Sequence, residues 1–512
     1  MAKSTMMSGF ARTALILGVM LAASAVQAAP AAKPGASTSD TAAARVIMNQ
    51  GVDRLNAKDP KGAEAEFHAV IDNPHFSLLD AKIRYYAFYL LATAETRDGD
   101  AAAAYDHLLQ AAAAAPDARN GSYWWSMMDV ASTLDKRDEI ADAIVTLART
   151  FPDTLSDIDD WYIRSAIRKA RKGALQRGPA HYQAALEALV AINYHPSDLF
   201  QDAEYLKLDL TRLYADEGKT DAAKTLAATL VEPSSIVPLQ VDKRYAGLIS
   251  PDPARYMQAL ADDVATARKQ AADHPDRIEG AQTLASALLS DDKPEEALTL
   301  IDAALAKATA QPGAYSDLDN QLRWALETRN EVLMRLGRWD EALAAEIQAR
   351  DVSKDDKVSQ RINLADLYVR IGRPADAIAE VKTVDAKNTS AYGSTAAEVA
   401  RACAYAALGD KTSMTAALDF LKAHADDTNG ILQEGLTCAG DVDALTVLMV
   451  KQLDDPDLRN SALIASQVWL PDPHRTAWDR KLDAVNAQVA ARPEIRAAVE
   501  KYGIVNSYPK IR

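Results

Sequence analysis

The stretch INLADLYVRIGRPADAIAEV, residues Ile362 to Val381, places a glycine between two segments of helical periodicity. Apolar residues recur every three or four positions on both sides of Gly372, which predicts two helices. Tyr368 lies four residues before this glycine, and Ala377 lies five residues after it. If the same spacing recurs along the chain, it indicates a repeat of helix pairs.

The spacing does recur around other glycines, at intervals that indicate one repeating unit. Together with Tyr368, Gly372 and Ala377, the positions that share it are Gly99, Ala104, Tyr214, Gly218, Ala223, Gly337 and Ala342. A glycine can end the first helix in a left-handed conformation at little cost. The alanine stands where the second helix crosses the first, and a larger side chain there would push the two apart. We therefore predict that these residues pack the repeat and have no role in an active site.

This pattern resembles the tetratricopeptide repeat family in unit length, two-helix organisation and residue types, over most of residues 41–453. The tryptophan that the family places early in the first helix is mostly missing. The resemblance implies an all-α fold, a right-handed superhelical solenoid of antiparallel helix pairs. It also implies that the first helices line a concave surface, where Arg335, Asp366 and Arg370 could face a bound peptide.

Some members of the family grip the terminal carboxylate of a peptide with Lys and Asn at set positions of the first helices. Here Glu327, Glu331, Ile362 and Asp366 stand at those positions. The resemblance therefore does not support that mode of binding.

Composition agrees with a helical chain. The 512 residues are 48% hydrophobic but only 6% aromatic, and alanine, the best helix former, dominates the apolar set. The formal charge of -15 argues against general nucleic-acid binding, which requires a positive face to neutralise phosphates.

The N-terminus predicts export. Residues 1–28 combine a positive start, a short apolar run and a small-residue cleavage site, as secretory signal peptides do. A membrane anchor is the alternative, but the run is shorter than the roughly 20 apolar residues that span a bilayer. Residues 29–40 predict a disordered leader. We expect a periplasmic or secreted protein with no transmembrane anchor after cleavage.

The repeat pattern ends near Leu453. Residues 454–512 predict two or three helices and a tail, with Trp469 and Trp478 on either side of the turn sequence LPDP. A solenoid needs such a cap to cover the apolar face of its last repeat.

The chain has two cysteines, Cys403 and Cys438. In an oxidising compartment a lone pair often forms a disulfide. The alternative is two buried, unpaired thiols, which are common in protein cores.

The most basic segment of this acidic chain runs from Trp161 to Gly178. Arg164, Arg168 and Arg171 share one face of its predicted helix. They are candidates for binding an anionic polymer or the acidic segment of a partner. The alternative is a solvated face on which arginines pair with acids one turn away.

No catalytic, metal-binding or cofactor motif stands out, and the histidines have no metal-ligand spacing. We therefore expect a non-catalytic interaction scaffold of the cell envelope that binds an unidentified protein or peptide. The alternative is an accessory protein or enzyme that acts on an envelope polymer.

Overall fold

The computed structural model describes residues 38–353, 357–384, 389–425 and 430–511. The predicted signal peptide, residues 1–28, lies outside the described residues. The first described helix begins at Thr38, which is inside the predicted leader. Nearly all described secondary structure is helical, and the prediction of an all-α chain is confirmed.

The described residues form two compact units, one ending at Leu213 and the other beginning at Tyr214. The division falls inside the helix Glu204–Asp216. The helices up to that point are α1 Thr38–Asn56, α2 Pro60–Ile71, α3 Ala81–Asp98, α4 Ala101–Ala114, α5 Gly121–Thr133, α6 Arg137–Thr150, α7 Pro152–Ser156, α8 Asp160–Arg177, α9 Ala180–Ala191 and α10 Glu204–Asp216, with short 3-10 turns at Phe76–Leu78 and Pro116–Ala118.

The second unit continues the helix pairs and ends in a mixed region. Its elements are α11 Thr220–Ala227, α12 Pro233–Val241, a 3-10 turn at Lys243–Tyr245, α13 Pro253–Asp273, α14 Ile278–Ser290, α15 Pro294–Ala310, α16 Leu318–Arg335, α17 Trp339–Val352, α18 Val358–Arg370, α19 Pro374–Val381, α20 Ala391–Leu408, α21 Lys411–Ala423, α22 Ile431–Ala439, α23 Val442–Asp454, α24 Arg459–Ala465, β1 Val468–Leu470, α25 Ala477–Ala490, α26 Pro493–Tyr502 and β2 Ser507–Ile511.

The turn between paired helices is left-handed at the predicted positions. Gly372 has φ 78°, and the N–H of Arg373 donates to the carbonyl of Tyr368 over 2.7 Å. This bond satisfies a carbonyl that the end of α18 would otherwise leave unpaired. Asp292, which replaces the glycine in its unit, also has a positive φ of 62°.

The alanines of the spacing are buried between the paired helices. Ala104, Ala223, Ala342 and Ala377 each have 0% of their surface exposed. Each methyl group therefore lies where a longer side chain would have to displace the helix opposite.

The C-terminal region, for which the sequence predicts two or three helices and a tail, contains three helices and a two-stranded parallel sheet. Val468 pairs with Ser507, and Trp469 pairs with Tyr508. The sheet was not predicted, because strands of three and five residues carry too little alternation to be recognised.

The end of the chain returns to α12, near the start of the second unit. The N–H of Ile504 donates to the carbonyl of Val241 over 2.8 Å. The side-chain amide of Asn460 donates to the carbonyl of Pro238 over 2.6 Å. The C-terminal region thus joins the two ends of this unit, in addition to following its last helix pair.

Candidate binding face

In the second unit the first helices of neighbouring pairs contact one another, α14 with α16, α18 with α20 and α20 with α22. A side-chain hydrogen bond from Asn363 to Glu327 links α18 with α16. We call the surface formed by α14, α16, α18, α20 and α22 the A-helix face. Apolar packing beneath this face is divided into two clusters. One extends from α13 to α17 and includes Val332 and Ala345. The other is centred on α18 to α20 and includes Leu364 and Ala400.

Five polar side chains lie where α16, α17 and α18 meet, between the two apolar clusters, and we call them the polar layer. They are Glu327, Asn330, Glu346, Gln360 and Asn363. Asn330, Glu346 and Gln360 are at most 4% exposed. Such burial is costly for polar groups unless they are hydrogen-bonded.

The polar layer is only partly hydrogen-bonded. The amide of Asn330 donates to Oε2 of Glu346 over 2.9 Å. The amide of Asn363 donates to Oε1 of Glu327. Within the described part of the chain, Oε1 of Glu346 and Oδ1 of Asn330 have no hydrogen-bond partner. The same holds for Oε2 of Glu327 and for the amide nitrogen of Gln360, although Gln360 lies near enough to Glu327 to favour its charged form. The layer therefore contains unpaired acceptors and an unpaired donor.

Burial controls the protonation of the two glutamates. Desolvation, reinforced by the charge of Glu327, raises the pKa of Glu346 to about 8. Desolvation, reinforced by Glu331, raises the pKa of Glu327 to about 7, although Arg323 opposes this shift. At neutral pH Glu346 is therefore mostly neutral, and Glu327 is near its midpoint.

Three further carboxylates lie on the A-helix face and are exposed: Glu331 on α16, Asp366 on α18 and Glu434 on α22. Surrounding protein raises the pKa of Glu331 by desolvation. It also raises the pKa of Glu434, to which the charge of Asp366 contributes. These three side chains contact solvent, and we call them the acidic patch.

The two predicted groove arginines are engaged by the C-terminal region. Arg335 lies 3.8 Å from a carboxylate oxygen of Asp472 and 3.6 Å from one of Asp292. Arg370 lies 2.8 Å from Asp366 and 4.0 Å from Asp479. Of the three predicted groove residues, only Asp366 is exposed.

Helix α25 occupies part of the A-helix face with an amphipathic stripe. Trp478 and Leu482 pack against the cluster of α18 to α20. Val485 and Val489 continue the stripe into the cluster that α23 and α26 share. This spacing is the one by which amphipathic helices bind grooves in other proteins. The sequence predicted a cap here, but not its position over the predicted groove.

The arginines of α8 in the first unit face acids of the same unit. Arg164 pairs with Asp160, one turn earlier, and its guanidinium also donates to the carbonyl of Asp202 over 2.7 Å. Arg171 lies 3.9 Å from Asp209, whereas Arg168 is exposed. This arrangement agrees with the alternative of a helix face balanced by nearby acids.

Cys403 on α20 and Cys438 on α22 form a disulfide, with Cα atoms 4.9 Å apart. Both residues lie within or beside the cluster of α18 to α20. The bond therefore joins two neighbouring first helices of the A-helix face.

Glu346 was not among the predicted site residues, although its position in the repeat is unusual. Glu346 lies four residues after Ala342, and the corresponding positions in other units are the apolar Leu108, Ile301 and Val381. A glutamate at a position that packs the core elsewhere indicates a special environment.

Among the residues that the structure describes, no helix is both long and apolar enough to cross a membrane. Nor does this part of the chain contain a group of three or more His, Cys, Asp or Glu residues able to hold a metal ion.

No protein-family model matches the sequence, and neither does any curated relative. Several solved structures are similar in fold. They include NprR in complex with its cognate peptide NprX (11% identity, 81% of this chain and 98% of that chain, TM-score 0.34). A Rap protein complexed with competence and sporulation factor matches at 14% identity over 88% and 99% of the two chains, with a TM-score of 0.31.

The TPR domain of P58(IPK) is a further match, at 16% identity over 78% of this chain and 98% of that one, with a TM-score of 0.21. The tetratricopeptide-like character of the chain is carried by its own helix pairs, left-handed turns and buried alanines.

Proposed function

We propose that this protein is an exported, non-catalytic interaction scaffold of the cell envelope that binds a segment of another protein on its A-helix face. The binding region comprises α16, α18 and α22 and carries Glu331, Asp366 and Glu434. Export rests on the signal-peptide pattern of residues 1–28.

The observation that carries this proposal is the acidic patch on the A-helix face. Helix α25 and its preceding loop already cover Arg335 and Arg370. Glu331, Asp366 and Glu434 are exposed on the same face. A partner segment bound there would lie beside α25 and extend the surface that α25 occupies.

Site-specific crosslinking in cells tests the binding region. A photoreactive amino acid replaces Glu331 or, separately, Glu434, and the control position is Ala303, which is exposed on α15. We expect the same partner to be captured from both positions of the acidic patch and not from Ala303. Equal capture from all three positions, or none from the acidic patch, would contradict the proposed region.

A reporter fusion tests export. Residues 1–40 are fused to an enzyme that is active only outside the cytoplasm, and a matched fusion replaces apolar residues of the signal segment with charged ones. We expect activity only from the unaltered fusion. If both fusions are inactive, the assignment to the envelope is wrong.

The convergence of carboxylates also favours a second candidate, action on an envelope polymer. Glu327 and Glu331 are one turn apart on α16, and paired carboxylic acids with raised pKa values perform acid–base hydrolysis in other proteins. Glu346 is fully buried, so it could not contact a polymer. Release of soluble fragments from purified envelope polysaccharide, abolished by Glu331→Gln, would favour this candidate over the scaffold.

A further inference from the structure

We propose that the first unit carries a carbohydrate-binding surface, on which sugar rings of an oligosaccharide stack against aromatic side chains of α5 and α8. Trp125, Tyr162 and Trp161 supply the rings, and we call them the aromatic platform. Asp129 accepts hydrogen bonds from the hydroxyl groups of the sugar. The surface uses residues of the first unit only, whereas the acidic patch of the proposed protein-binding region belongs to the second unit.

The aromatic platform is formed by two neighbouring helices, since α5 and α8 contact each other. The ring of Trp125 meets the ring of Tyr162 edge-on, with centroids 5.2 Å apart. Tyr162 meets Trp161 in the same way at 5.0 Å. Trp161 is 59% exposed, and the other two side chains are half-buried. The three rings therefore present apolar surface that the fold itself does not cover, which is typical of binding sites.

Asp129 has a carboxylate without a partner. Its residue is only 8% exposed, yet within the part of the chain that the structure describes no donor forms a hydrogen bond with either oxygen. Neither oxygen is fully covered, so a ligand can reach the carboxylate from the surface. Lys169 lies near it, but the Nζ of Lys169 donates to the backbone carbonyl of Ser132. A mostly buried acceptor of this kind is costly unless a donor reaches it.

The carboxylate and the rings belong to one site. Asp129 follows Trp125 by one helical turn, so both side chains lie on the same face of α5. Desolvation, together with the charge of Asp129, raises the pKa of Tyr162. Desolvation also raises the pKa of Asp129 to about 6, although Lys169 opposes this shift. At neutral pH the carboxylate is therefore mostly charged and acts only as an acceptor.

The chemistry of these groups distinguishes between three classes of ligand. A proline-rich peptide can stack on aromatic rings, but it offers mainly carbonyl oxygens, which Asp129 would repel. A cationic side chain suits rings and a carboxylate, but Lys169 lies beside the carboxylate and Arg168 is exposed on the same basic helix. A pyranose ring has C–H groups on its faces and hydroxyl donors at its edge. An uncharged or acidic saccharide can therefore stack on the rings and donate to Asp129 at the same time.

Calorimetric titration of the full chain tests the inference. The probes are a neutral oligosaccharide (cellotetraose), an N-acetylated one (tetra-N-acetylchitotetraose) and an acidic one (trigalacturonate), together with the peptides octaproline and trilysine. We expect at least one oligosaccharide to bind about tenfold or more tightly than either peptide.

Three variants localise the binding. Trp161→Ala removes the most exposed ring of the platform and should weaken oligosaccharide binding by about five- to tenfold. Tyr392→Ala is the matched control, since Tyr392 is 65% exposed on α20 of the second unit, and it should leave binding unchanged. Asp129→Ala removes the acceptor and should weaken binding by about tenfold or more. Thermal unfolding of each variant shows whether the fold is retained.

The inference is overturned if none of the oligosaccharides binds, or if octaproline or trilysine binds as tightly as the best of them. It is also overturned if Trp161→Ala binds as well as the unaltered protein, or if Tyr392→Ala weakens binding to the same extent. Because Trp161 lies at the surface, this comparison decides the matter even if Asp129→Ala does not fold.

Discussion

At the scale of single residues, the buried alanine of each unit sets the distance between paired helices. We expect Ala377→Leu to destabilise the fold by about 1–3 kcal/mol, because three extra carbon atoms must enter a fully packed crossing. The control is Ala379→Leu, an exposed position on the same helix. Thermal unfolding of both variants measures the difference, and equal melting temperatures would mean that the assigned register is wrong.

Glu346 is a residue whose replacement should stabilise the protein. Its pKa is about 8 in the folded protein against 4.5 in the unfolded chain. The folded state therefore holds a proton that the unfolded state loses above about pH 4.5, so the contribution of this residue to stability falls as pH rises toward 8.

We expect Glu346→Gln to raise the free energy of unfolding by about 1–3 kcal/mol at pH 8, with a gain that shrinks toward pH 4. The neighbouring charges of Glu327, Glu331 and Asp366 remain in the variant. Urea unfolding at pH 4, 6 and 8 measures the trend. A gain that does not depend on pH would indicate a packing effect in place of a titration.

The turn glycines and alanines were predicted from the sequence, whereas the environment of Glu346 was not. The turn glycines and buried alanines were predictable because their spacing repeats and each has one local physical reason. The sequence alone shows that Glu346 is unusual, because the repeat has an apolar residue at this position in other units. It does not show that Glu346 lies beside Asn330 and Glu327, since these residues are on a different helix and local periodicity does not indicate which helices meet.

At the scale of elements, the disulfide joins α20 and α22 across a loop of 35 residues. Closing a loop of this length restricts the unfolded chain, which corresponds to about 3–4 kcal/mol of stability in the chain-entropy model. We expect a loss of this size in the Cys403→Ala, Cys438→Ala double variant under non-reducing conditions. Thiol titration of the denatured, unreduced protein is the check, and two reactive thiols would exclude the bond.

Helix α25 was predictable as a helix from its own sequence, but its position in the fold was not. The sequence after Leu453 predicted a helical cap, and the structure adds that α25 carries an apolar stripe of Trp478, Leu482, Val485 and Val489. The surface that it covers was not predictable, since the ion pairs of Asp472 with Arg335 and of Asp479 with Arg370 join segments more than a hundred residues apart in a chain of 512. The expectation that Arg335 and Arg370 could face a bound peptide did not consider these acidic partners from within the chain.

At the scale of the whole molecule, the second unit is closed by its own C-terminus. Tyr508 is 2% exposed, and its ring stacks on Trp469 with centroids 4.5 Å apart and meets Tyr256 edge-on at 5.2 Å. Its hydroxyl donates to Oε1 of Gln240, 268 positions earlier in the sequence, over 3.1 Å. Lys510 lies 3.0 Å from a carboxylate oxygen of Asp291.

A repeat array in which each pair contacts only its neighbours can unfold from its ends. A contact between residues 240 and 508 opposes such fraying, because opening either end of the unit breaks the same aromatic cluster. The unit should therefore unfold in one cooperative transition, and this cooperativity should depend on Tyr508.

We expect Tyr508→Ala to cost about 3–5 kcal/mol, the range for removing a large buried aromatic side chain. Tyr508→Phe is the matched control, since it keeps the ring and removes only the hydroxyl, for a loss of about 1 kcal/mol. Hydrogen exchange followed by mass spectrometry should show that Tyr508→Ala lowers protection in α12 and in the C-terminal region together. Loss of protection confined to residues 504–511 would mean that the chain end is an ordinary tail and that the unit is held closed without it.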